Sequence, residues 1–135
     1  MKFGDIEMAF EFVSADQRFM NNAILSRKTG ELYYTSELGN SDELPDDVDD
    51  MDTYVSIPHK NDLDLGTRLV FDFVSDYMPD DYDEISYMFN RRGAYSRFKD
   101  LVERRGKLED WYAFEEENKK KRLMEWCKKN DIHLT

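Results

Sequence analysis

Ala23-Ile24-Leu25-Ser26 and Leu32-Tyr33-Tyr34-Thr35, joined by Arg27-Lys28-Thr29-Gly30-Glu31, decide the fold class. Both flanking runs are rich in residues that suit a pleated, half-buried surface. The short glycine-containing connection between them reads as a hairpin. Gly30 stands where a type I turn with a bulge needs a left-handed residue. A lone hairpin is marginal in water, so it requires a third strand or a covering helix. Asp52-Thr53-Tyr54-Val55-Ser56-Ile57-Pro58 is the natural third strand, with Val55 and Ile57 facing one way and Tyr54 and Ser56 the other. Pro58 ends it and suits an edge.

Helical patterns lie on both sides of this sheet. Asp5 to Ser14 places Ile6, Ala9, Phe10 and Val13 on one face, with Phe12 at its margin. After His59-Lys60-Asn61-Asp62, which can cap a helix, Leu65, Leu69, Val70, Phe73, Val74 and Tyr77 form a broad apolar stripe widened by Phe71. Pro79 stops it. Pro79 to Arg92 reads as a third helix with Tyr82, Ile85, Met88 and Phe89 inward, closed by Gly93 as a left-handed cap. Arg91 to Gly106 is a short amphipathic helix whose apolar face is Ala94, Tyr95, Phe98, Leu101 and Val102. It ends on Arg104-Arg105-Gly106, the same signal that precedes it. The last helix runs from about Leu108 to Lys129. Its middle, Glu115 to Arg122, holds no apolar residue and is expected to survive through Glu115–Lys119, Glu116–Lys120 and Glu117–Lys121 pairs. Ile132-His133-Leu134 reads as a short strand or a frayed tail.

The 135 residues suit one domain, 1–135, with a helix and sheet over 1–58 and a helical part over 59–135. Nine Phe, eight Tyr and two Trp supply the bulk for a core. The apolar runs are too short to span a bilayer, and the N-terminus lacks a basic-then-apolar signal segment. The single Cys127 excludes an intrachain disulfide and, with only two His, argues against a Cys/His zinc site. No cofactor or metal is expected, and the setting expected is cytoplasmic.

Charge is unevenly distributed. The formal net charge is −11. Residues 41–84 carry 2 Lys/Arg against 15 Asp/Glu, whereas residues 85–135 carry 13 against 9. The overall sign opposes approach to nucleic acid or an anionic membrane, while the basic C-terminal part suits a local phosphate or an acidic surface of the same molecule. Residues 37–52 are acidic and poor in apolar anchors, which reads as a solvated connection with one helical turn after Pro45. A calcium loop fails there, because the required glycine and bidentate glutamate are out of register.

Two sets of side chains are candidates for chemistry. His59, Asp62 and Asp64 lie at the strand-to-helix junction, where a histidine beside carboxylates can act as a general base. The plainer reading is a helix cap at Asp62 and a surface histidine at position 59. Arg91, Arg92, Arg97, Lys99, Arg104, Arg105 and Lys107, with Tyr95, form a basic and aromatic cluster able to hold a phosphate backbone and stack a base. The plainer reading sets the arginines at helix C-termini, where cations are favourable. Within it, Arg92, Tyr95, Arg97, Lys99 and Arg105 are the candidate binding surface.

The chain also resembles a bacterial family known as Uncharacterised Protein Family zero-one-five-eight. The resemblance rests on Leu25-Ser26-Arg27-Lys28-Thr29-Gly30-Glu31-Leu32-Tyr33, on Ile57-Pro58-His59-Lys60-Asn61-Asp62-Leu63-Asp64-Leu65-Gly66, on Arg92-Gly93-Ala94-Tyr95-Ser96-Arg97-Phe98-Lys99-Asp100, and on Trp111-Tyr112 with Phe114-Glu115. It implies the domain limits, the hairpin and a cytoplasmic bacterial setting. It brings no activity and no catalytic residue.

The expectation is therefore an α+β fold, a small antiparallel sheet of about three strands with four or five helices. The function expected first is a non-enzymatic binding or regulatory protein that acts through a protein partner. A nucleic-acid-associated protein using Arg91 to Lys107 is second, and a hydrolase-like enzyme at His59 and Asp62 third.

Overall fold

The computed structural model describes residues 1–135. It is an α+β fold with a three-stranded antiparallel sheet and a helical C-terminal half. The strands are β1 (Asn21–Ser26), β2 (Leu32–Ser36) and β3 (Tyr54–Ser56). The helices are α1 (Phe3–Ser14), α2 (Thr67–Tyr77), α3 (Tyr82–Met88), α4 (Ala94–Arg104) and α5 (Leu108–Lys129). The chain divides into two compact units, one of residues 1–63 with 120–135 and one of residues 64–119.

In the first unit the strand order is β2-β1-β3, so β1 is central. It pairs Leu25 with Leu32 on one side and with Val55 on the other, both antiparallel. The hairpin turn is closed by Ser26 and Glu31, with the Ser26 N–H donating to the Glu31 carbonyl at 2.9 Å. The Gly30 N–H donates to the Ser26 carbonyl at 2.9 Å, and Gly30 takes φ +76° as the turn requires. One face of the sheet carries Ala23, Leu25 and Tyr34, and α1 contributes Ile6, Ala9, Phe10 and Val13, all buried, from its apolar stripe. Phe12 meets Tyr34 edge to face at 5.1 Å, which joins helix to sheet. Strand β3 is shorter than expected because Thr53 belongs to the preceding turn, its hydroxyl donating to Asp50 at 2.8 Å.

The acidic connection is held by its own side chains. The Asp42 carboxylate accepts the Tyr34 N–H at 2.8 Å, and Asp47 accepts the Tyr54 hydroxyl at 2.9 Å. A turn after Pro45 forms through the Val48 N–H and the Pro45 carbonyl, 3.1 Å apart. The end of α5 belongs to this unit, with Leu123 and Cys127 buried and the Arg122 guanidinium donating to the Leu63 carbonyl at 2.9 Å. Ile132 is neither strand nor frayed tail. Its N–H donates to the Cys127 carbonyl at 2.8 Å, and Asp131 takes the left-handed conformation that terminates α5.

The second unit is a helical core with an aromatic centre. Phe73 stacks on Tyr77 at 4.6 Å and meets Trp111 at 5.2 Å and Phe114 at 5.4 Å. Leu69, Val70, Val74, Ile85, Phe98, Leu101 and Val102 complete the cluster. Burying each such side chain contributes roughly 1.5–3 kcal/mol relative to leaving it exposed. Three boundaries differ from those the sequence suggested. Lys60–Leu63 forms a separate 3-10 turn, and α2 begins only at Thr67, because Asp64 takes φ +55° and breaks the run. Pro79–Asp81 is likewise a 3-10 turn that precedes α3. Helix α3 stops at Met88, so Gly93 (φ +75°) starts α4 instead of capping α3. Gly106 does close α4: the Gly106 N–H donates to Glu103 and the Lys107 N–H to Val102, at 2.9 and 3.0 Å.

Candidate functional site

His59 lies three residues beyond the end of the third strand and is 4% exposed, not a surface side chain. Its Nε2 lies 2.7 Å from the Asp16 carbonyl, and its Nδ1 accepts the Asn61 N–H at 3.1 Å. An accepted backbone N–H fixes Nδ1 as the unprotonated nitrogen, so Nε2–H donates to Asp16. Asp62 accepts the His59 N–H at 3.0 Å and pairs with Arg18 at 2.6 Å. Both ring nitrogens are thus used, Nε2 to tie the junction to the loop after α1 and Nδ1 to hold the turn of the junction itself. Asp64 stands at the first position of the helical unit with left-handed backbone. As arranged, His59 and Asp62 hold a loop, and no ring nitrogen is directed at a substrate.

The basic helix is more open. In α4, Phe98, Leu101 and Val102 turn inward, which leaves Tyr95, Arg97, Asp100, Glu103 and Arg104 outward. Lys99 lies over two rings, 5.8 Å from the centre of Tyr95 and 5.2 Å from that of Tyr112 on α5. Each ring is a little under half exposed. Such contacts are worth about 0.5–1 kcal/mol at an exposed site. The Tyr95 hydroxyl donates to Glu115 at 3.0 Å. Burial first, and then the Glu115 charge, push the Tyr95 phenol up to about 12. The neighbouring Trp111 indole acts in the opposite direction, although its own N–H is buried without a hydrogen bond of good geometry. A second pair of the same kind has Arg91 4.8 Å from the centre of the Tyr87 ring, with Tyr87 59% exposed.

Of the five expected binding residues, Tyr95 and Lys99 are brought together. Arg92 and Arg97 are exposed on the same unit. Arg105 is engaged elsewhere, with a bidentate grip on Asp81 at 2.9 and 3.1 Å. That grip holds the Asp81 carboxyl below the usual carboxylate range and raises the Arg105 guanidinium. Sequence reasoning did not single out Tyr87 or Glu115 as surface partners; Trp111, Tyr112 and Trp126 read mostly as core, with one of them left over for a partner contact, and Tyr112 is the exposed one of the Trp111–Tyr112 pair. The Tyr87–Arg91 pair was findable, because residues four apart on a helical run are neighbours. Tyr112 and Glu115 come from another helix, and no local spacing points to them.

No helix is long and apolar enough to cross a membrane. No group of three or more His, Cys, Asp or Glu side chains is arranged to hold a metal ion. Neither a curated protein nor a solved structure matches the chain. One family profile does, over residues 9–135, nearly the full length that carries the sheet, the His59 junction and the tyrosine surface. The chain belongs to the uncharacterised protein family UPF0158.

Proposed function

We propose that this chain is a non-enzymatic, cytoplasmic binding or regulatory protein that acts through a protein partner, and that the partner meets the tyrosine surface of the helical unit. The observation that carries this reading is Lys99 held over Tyr95 and Tyr112, with Tyr95 anchored to Glu115. Side chains already in contact with one another have less conformational freedom to lose when a partner binds. Tyrosine and arginine dominate the energetics of protein interfaces, and Tyr87, Arg91, Arg92 and Arg97 lie on the same unit.

Nucleic acid is the second reading, favoured by the exposed Arg92, Arg97 and Arg104. The charges around them weigh against it. Asp100 and Glu103 fall between Arg97 and Arg104 on the outer face of α4, and Arg105 is committed to Asp81. The 64–119 unit as a whole carries 14 Asp/Glu against 9 Lys/Arg. Carboxylates set among the cations weaken the attraction to a phosphate backbone.

The test is affinity capture from the source organism with the wild type and with Lys99→Glu, each with and without nuclease. A protein captured by the wild type after nuclease and lost with Lys99→Glu supports the reading. Capture that nuclease abolishes, together with salt-sensitive gel shifts of single-stranded RNA or duplex DNA, replaces it with the nucleic-acid reading.

A further inference from the structure

The two edges of the sheet are finished differently. On the β2 side the Tyr34 N–H donates to the Asp42 carboxylate, the Asp42 N–H donates to the Tyr34 carbonyl, and the Ser36 N–H donates to the Ser41 hydroxyl, at 2.8, 2.8 and 3.0 Å. Those contacts occupy the outward backbone groups of Tyr34 and the outward N–H of Ser36. On the β3 side the Arg27 N–H donates to Thr53 at 2.7 Å and the Ile57 N–H donates to Ala23 at 2.9 Å. Residues 53, 55 and 57 therefore turn their backbone groups toward β1, while Tyr54 and Ser56 turn theirs away. The Tyr54 N–H is taken by the Asp50 carbonyl at 2.9 Å. The Tyr54 carbonyl and both backbone groups of Ser56 face outward, and Ser56 is exposed.

Beside this edge runs an open groove of about 710 Å³. Ile24, Leu44, Val48 and Met51 supply its apolar side chains, and Met51 is 84% exposed. The segment that borders it, residues 44–52, holds five Asp and no Lys/Arg. Arg27 stands at one end, but its guanidinium donates to the Asn130 carbonyl. An edge with outward hydrogen-bonding groups, an apolar trough and an acidic border defines a particular occupant. We propose that the β3 edge docks an extended segment of a partner protein in which basic residues alternate with apolar ones. Added as a fourth strand, such a segment bonds to Ser56 and Tyr54 through its backbone. Its apolar side chains enter the trough, and its basic residues answer the charge of the acidic border. A second copy of this chain fits poorly, because it would bring two acidic borders together.

The test is a titration of the full chain with a Lys-Val repeat peptide about ten residues long, against a Glu-Val repeat of the same length. The Lys-Val peptide is expected to bind saturably, more weakly as salt rises, and to slow hydrogen exchange at the Ser56 amide. Ser56→Pro removes the outward N–H and leaves the ladder to β1 intact, since that N–H is no part of it. It is expected to weaken binding by about tenfold or more. Met51→Lys, which leaves the backbone alone, is expected to weaken binding by a similar factor and serves if Ser56→Pro disturbs the circular dichroism spectrum. Absence of saturable binding, equal binding of the Glu-Val peptide, or wild-type affinity in both variants overturns the proposal.

Discussion

His59 and Asp16 stand 43 positions apart in the chain and 2.7 Å apart in the fold. The imidazole is a buried tie between the end of the sheet and the loop after α1. Its removal leaves the Asp16 carbonyl without its donor and the Asn61 N–H without its acceptor. His59→Ala is expected to destabilise the protein by about 1–3 kcal/mol. A urea denaturation midpoint equal to that of the wild type rules this role out.

Gly30 is the residue on which the hairpin turns. A Cβ built there meets only the Met1 sulfur at 3.9 Å, an ordinary contact, so crowding does not forbid a side chain. The backbone does, at φ +76°. Gly30→Val is expected to cost about 1–2 kcal/mol. Gly30→Asn should recover most of that, because asparagine tolerates the left-handed region. Chemical denaturation of the two variants side by side separates backbone strain from steric conflict.

Phe98 and Arg97 are adjacent in sequence and opposite in environment. Phe98 is fully buried and contacts Trp111 at 5.0 Å, while Arg97 is exposed. Phe98→Ala is expected to cost about 3–5 kcal/mol through loss of apolar burial and the cavity left behind. Arg97→Ala should stay within about 0.5 kcal/mol of wild type. Thermal unfolding of the two variants provides the comparison.

The Tyr95 phenol titrates at about 12 in the fold, above its ordinary value of 10.0. A raised folded pKa means that the protonated form is the one the fold favours. The corresponding stability is present below the unfolded value and declines as pH rises from about 10 through about 12. Glu115→Gln removes a charge that opposes ionisation, so the Tyr95 titration should move down toward 10.0. Asp81 has the opposite sign. Its carboxyl is held low by Arg105, so its contribution is present above the unfolded carboxylate pKa and is lost as pH falls through the folded value. Arg105→Ala should abolish that acid-side dependence. Carbon-detected NMR titration of labelled tyrosine and aspartate follows both groups.

The features legible in the sequence were those set by neighbours. The hairpin follows from two β-prone runs and a glycine within a few residues, and the stripes of α1, α2 and α4 follow from helical spacing. Helix ends were harder to read. Asp64 in left-handed backbone delays α2, and nothing about an aspartate in that context announces it. The cluster of Arg and Lys residues was visible as composition, yet Arg105 proved committed to Asp81, 24 residues away. The burial of His59 was hidden for the same reason, since its partner is a backbone carbonyl in a distant loop. Tyr95 and Lys99 are one helical turn apart and could be paired by inspection, whereas Tyr112 joins them from a different helix.

The unequal edges of the sheet also bear on solubility. A stack of strands grows into a fibre only when every unit offers an edge on both sides. Here Ser41 and Asp42 cover Tyr34 and Ser36 on one side, so that edge offers little ladder on which a further strand could continue the series. Association by strand pairing therefore ends at a single addition or a single pair of molecules. The protein can keep one adhesive border at β3 without the hazard of polymerisation through its own sheet.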